Sequence, residues 1–145
     1  MSDVLNGKPP VSFWIVGGVF LTWNLIGLMF YYMQVTMTPE VMAANLNDTQ
    51  IAFMNNTPLW ATSAYAIAVN AGVIGALLLL LRKKWALNLF VLSFAGVLVQ
   101  DFDAFVLSGA IEVWGTSAVY LPTVVIIICV AEIWYSRSVA NRYYR

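Results

Sequence analysis

Histidine is absent from this sequence of 145 residues, and cysteine occurs once, at Cys129. Without imidazole there is no bis-His haem, no His-ligated zinc or copper and no His general base, and a single thiol forms neither an intrachain disulfide nor a CxxC redox pair. Charge is scarce too. Seven Lys and Arg balance seven Asp and Glu, so the formal net charge is zero, and no basic tract is dense enough to hold nucleic acid. No catalytic residues, metal ligands or cofactor motif can be named. A membrane enzyme would have only carboxylates and hydroxyls to work with, so a non-enzymatic protein is expected.

What is present is apolar. Hydrophobic residues make up 61% of the chain and the mean hydropathy is +0.80, well beyond a soluble domain, in which about half the residues are apolar. Four runs of the roughly 20 apolar residues that cross a bilayer lie at about 12–34, 58–81, 85–107 and 117–136. The expected fold is all-α: an integral membrane four-helix bundle, one membrane domain over 1–145. The first run follows only Lys8 and exceeds a signal-peptide core, so it is read as a retained span.

The basic residues fall before the first span (Lys8), between the second and third (Arg82, Lys83, Lys84), or after the fourth (Arg137, Arg142, Arg145). The positive-inside rule then places both termini in the cytoplasm. Trp14, Trp85 and Trp134 would lie at one interface and Trp60 and Trp114 at the other, with Trp23 in mid-span as the exception. Outside, between the first two spans, "TMTPEVMAANLNDTQIAFMNNTP" offers Thr38 as a cap and Pro39 and Glu40 as a helix start. It reads as a short amphipathic helical segment on the extracytoplasmic side. Thr57 and Pro58 read as cap and first-turn proline of the second span.

At about 100° per residue, Ser93, Gly96, Gln100 and Asp103 share a stripe on the third span, and Asp101 falls off it. Gly17, Asn24, Gly27, Tyr31 and Gln34 share one on the first. Polar side chains without water must face other helices or a wet cavity. Counted at 1.5 Å per residue from Lys84, Gln100 and Asp103 lie about 24 and 28 Å along a core about 30 Å thick. An outer vestibule lined by Asn24, Tyr31, Gln34, Gln100 and Asp103 is the resulting expectation; interhelical glue is the competing one. Glu132, near the inner interface with Pro122, Val125 and Cys129 on its face, is expected to pair with Arg137 or the basic loop, with a substrate or proton site as the alternative. Ala64, Ala68, Gly72 and Ala76 form a small-residue ridge, suited to close packing within the bundle or between copies.

The segments "TWNLIGLMFYYMQVTMTPE", "TPLWATSAYAIAVNAGVIGALLLLLRKKWA" and "VLVQ" resemble a family of small four-span bacterial membrane proteins of unknown mechanism, labelled as sugar transporters. The matching positions are Trp23, Asn24, Gln34, Thr38, Pro39, Glu40, Pro58, Trp60 and Gln100, while Asp101 and Asp103 depart from the pattern. The resemblance implies transport of a small solute and a location in a bacterial inner membrane. Two functions are therefore expected: a transporter or channel for a small solute or ion, with a pathway at a homo-oligomer seam, or an accessory subunit of a larger membrane complex. In the second case the ridge and the tail "SRSVANRYYR" would be the contacts.

Overall fold

Residues 7–144 are described by the computed structural model, and every regular element among them is a helix. Pro9 and Pro10 cannot extend a helix backward, and α1 starts after them, running Val11–Val35. Two short helices follow, α2 (Pro39–Asn45) and α3 (Asp48–Asn55). The Thr38 hydroxyl accepts from Val41 N–H to start α2. Glu40, beside that cap, has its carboxyl held below the usual range by its own backbone N–H and by Thr38. Asn47 and Gln50 exchange reciprocal side-chain-to-backbone bonds of 2.9 and 3.1 Å at the start of α3.

The second span, α4, runs Leu59–Leu80 with Pro58 itself as the cap. Thr57 instead donates to Phe53 O at 3.0 Å, so it finishes α3 rather than starting α4. Arg82, at φ 61°, turns the chain into α5 (Trp85–Phe102). That helix widens into a π turn over Asp103–Leu107, closed by a bond from Ser108 N–H to Asp103 O. After α6 (Ala110–Trp114) and a 3₁₀ turn comes α7 (Tyr120–Tyr143).

Four of these segments, Val11–Val35, Leu59–Leu80, Trp85–Leu107 and Thr116–Tyr143, are long and apolar enough to cross a membrane. The protein is a multi-pass membrane bundle. In space α1 packs on α4, α4 on α5, and α5 on α7. The ridge on α4 is what brings the helices close: a Cβ on Gly96 of α5 would lie 2.7 Å from Ala64 O and 3.0 Å from Ala68 N. Ala64, Ala68, Gly72 and Ala76 are all buried within the bundle, which places the ridge at intrachain contacts.

The fourth helix continues well past residue 136, where the apolar run ends. Val139 and Tyr144 are buried with Phe13, Leu79, Ala86 and Phe90. Ser136 and Tyr144 share a 2.5 Å hydrogen bond, and Arg82 donates to Tyr143 O at 2.8 Å. The part of the tail that is described, expected to meet another protein, folds onto its own bundle at the end carrying Arg82–Lys84, the basic end. At the far end α3 leans on α6, with Phe53 and Trp114 in edge contact at 6.2 Å.

Candidate functional site

The seam between α1 and α7 is closed over half its length. Starting at the basic end, Phe13 packs against Tyr143 and Tyr135 (5.6 and 6.5 Å), and Phe20 against Tyr135 (5.9 Å). Next, Asn24 Nδ2 donates to Glu132 Oε1 at 2.5 Å and also to Phe20 O at 2.8 Å. Beyond this bond the two helices frame a cavity of about 230 Å³.

Its floor is polar and set by small residues. Gly72 leaves room for the Asn24 carboxamide, because a Cβ there would collide with Asn24 Oδ1 and lie 3.2 Å from Ser93 Oγ. Ser93 in turn donates to Ala68 O at 2.7 Å. The walls are Val69, Val97, Val125 and Cys129. Toward the far end the lining becomes Gly27, Phe30, Tyr65, Gln100, Asp101 and Pro122. Ile26, Phe30 and Leu121 at the rim are 42, 52 and 63% exposed, so the cavity opens sideways between α1 and α7, toward lipid.

Two carboxylates border this space, and among the described residues no lysine or arginine does. Glu132 is 1% exposed. Its partner Asn24 is close to the middle of α1, which puts Glu132 at mid-depth in the bundle rather than near the basic end. The expected pairing with Arg137 does not form. Five residues correspond to about 500°, so the two side chains leave α7 about 140° apart, and Arg137 instead borders a surface groove with Trp134. Asp101 stands on α5 eight residues past Ser93, about 12 Å nearer the far end. Its Oδ2 is buried and has no hydrogen-bond partner among the described residues.

Of the five residues expected to line a vestibule, Asn24 and Gln100 border the cavity. Tyr31 is one ring removed, stacked edge-on at 5.1 Å against Tyr65, which does border it. Gln34 is exposed and away from it. Asp103 is 4% exposed but outside it, accepting from Ser108 Oγ at 3.2 Å within the π turn. The stripe through Gly96 and Asp103 is thus a packing face, and the cavity face is the neighbouring row Ser93, Val97, Gln100, Asp101. Asp101 was missed because it lies 100° from Gln100; spacings of three and four from Val97 would have found it. Trp23, the tryptophan out of place in mid-span, also lines the cavity.

Among the described residues no group of three or more His, Cys, Asp or Glu could hold a metal ion. No model of a known protein family, no curated protein and no solved structure matches the chain.

Magnitudes separate glue from site. A charged side chain at the centre of a membrane helix costs about 3 kcal/mol on insertion scales. An interhelical hydrogen bond returns about 0.6–2 kcal/mol. Glutamine at 132 would keep an oxygen for Asn24 and avoid a charge, so a structural bond alone does not account for a carboxyl group there.

Proposed function

We propose that this protein admits a small solute into the cavity between its four spans and carries it across part or all of the membrane. The reading rests on one observation: a fully buried glutamate at mid-depth borders a cavity reached from the side. Ionisable residues within a membrane are costly, and those kept facing a cavity mark substrate or ion pathways by default. By the positive-inside rule the basic end faces the cytoplasm of a bacterial inner membrane, and the cavity opens toward the outer leaflet. The cavity lies within one copy of the chain, so a pathway needs no second copy.

Purified protein in liposomes is expected to take up at least one solute from a panel of sugars, amino acids and small amines faster than empty liposomes do, and Glu132→Gln is expected to abolish the difference. Equal uptake by protein-containing and empty liposomes across the panel would sink the reading.

A second reading, an accessory subunit, has a different observation in its favour. The lipid-facing side of α4 and α5 carries an apolar groove of about 720 Å³ floored by Ala64 and Gly96 and bordered by Trp60, Ala95 and Val99. On this reading, extraction in mild detergent recovers a stoichiometric partner that Ala95→Phe displaces and Glu132→Gln does not. Recovery of the chain alone counts against it.

A further inference from the structure

The chemistry of the cavity narrows what it accepts, given the solute-binding reading above. Glu132 uses one carboxylate oxygen on Asn24, and no hydrogen bond among the described residues reaches the other. Asp101 leaves Oδ2 buried without a partner. Among the described residues no lysine or arginine lines the cavity, so none supplies a counter-charge to either group. An anionic solute would meet two like charges in a medium of low dielectric, and a neutral sugar would find hydrogen-bonding groups at the floor but leave both carboxylates without a counter-charge.

A bare metal ion is disfavoured by the same walls, which give it no third acidic ligand. The aromatic residues point to a different class. Trp23, Phe30 and Tyr65 line the space, and an aromatic face turned to a bound cation attracts it by about 0.5–2 kcal/mol. The volume is below the range of about 300–1,000 Å³ usual for drug-sized ligands. Finally, the rim of Ile26, Phe30 and Leu121 faces lipid, so the occupant is one that partitions into a membrane.

We propose that the cavity binds a small lipophilic organic cation, a protonated or quaternary amine bearing one ring or a short chain, which enters between α1 and α7. Asp101 meets it near the mouth, and Glu132, held in place by Asn24, receives it at the floor.

The test is calorimetric titration of the protein in lipid nanodiscs with benzyltrimethylammonium, its uncharged carbon isostere neopentylbenzene, and benzenesulfonate, each corrected against empty nanodiscs. The cation is expected to bind saturably and at least about tenfold more tightly than either other probe, a ratio worth about 1.4 kcal/mol. Glu132→Gln and, independently, Asp101→Asn should each weaken it severalfold, whereas Asp103→Asn, outside the cavity, should leave it unchanged. Asp101 has no partner to lose, so its variant remains informative if Glu132→Gln fails to fold. Equal affinity for the cation and the neutral isostere, or cation binding indifferent to both variants, overturns the assignment while leaving a solute site in place. No saturable binding by any probe, together with no uptake in liposomes, removes the site as well.

Discussion

The two halves of this bundle are built from the same four helices and differ in how the first meets the last. At the basic end, Phe13, Leu79, Phe90, Val139 and Tyr144 fill the centre and aromatic rings close the α1–α7 seam. Past the Asn24–Glu132 bond the same seam separates over a cavity that Gln100 and Asp101 of α5 also line. Membrane helices gain little from hydrophobic burial against one another, because lipid is as apolar as their side chains, and so depend on close fit and hydrogen bonds. The filled half supplies that fit. It anchors the bundle so that the other half can keep a space and hold carboxylates that packing does not explain.

The comparison breaks most visibly at a filled position. Phe90→Ala, at a side chain 1% exposed, should lower stability by about 3 kcal/mol through the cavity it leaves. Thermal unfolding in detergent would register this as a clear drop in melting temperature. The same measurement on Val97→Ala, at the cavity wall, should show a much smaller loss, since a space already exists beside it. Equal losses would mean that the halves are packed alike.

The polar floor comes next in size. Asn24→Ala removes the donor to Glu132 and leaves a buried carboxyl group without its partner, which should cost about 1–3 kcal/mol. If Asn24→Ala unfolds at the temperature of the unmodified protein, the 2.5 Å bond does not hold the seam. The smallest effects belong to the mouth. Asp101→Leu gives up no hydrogen bond and should change stability by less than about 1 kcal/mol while abolishing solute binding. Gln34→Leu, outside the cavity, should change neither, and a loss of binding there would move the site to the end of α1.

Much of this division was legible in the residues themselves. Four apolar runs and the breakers between them located the spans, and the face shared by Glu132, Pro122, Val125 and Cys129 on α7 is the face that lines the cavity. The small-residue ridge on α4 also announced a close approach. Pattern alone could not say which of two adjacent faces of α5 packs and which stays open. That depends on where α4 presses against Gly96, a fact about the neighbouring helix. Asp103 does share the Gly96 stripe, but that stripe is the packing one, so its carboxylate is buried outside the cavity and takes the Ser108 hydroxyl. The depth of Glu132 was misjudged for a related reason: α7 extends past its apolar run because Val139 and Tyr144 find a core to join, so counting back from the hydropathy boundary sets the glutamate too close to the basic end.

The central claim, that one half of the bundle holds a fillable space and the other is solid, can be tested through the native Cys129, which borders the cavity. The labelling rate of Cys129 by N-ethylmaleimide in nanodiscs, compared with that of Ala76→Cys in a Cys129→Ala background, reads both halves with one reagent. The account predicts that Cys129 is labelled and is protected by saturating benzyltrimethylammonium, and that a thiol at position 76, in the filled core, stays unlabelled under the same conditions. Equal labelling at the two positions, with no protection at Cys129, would contradict it.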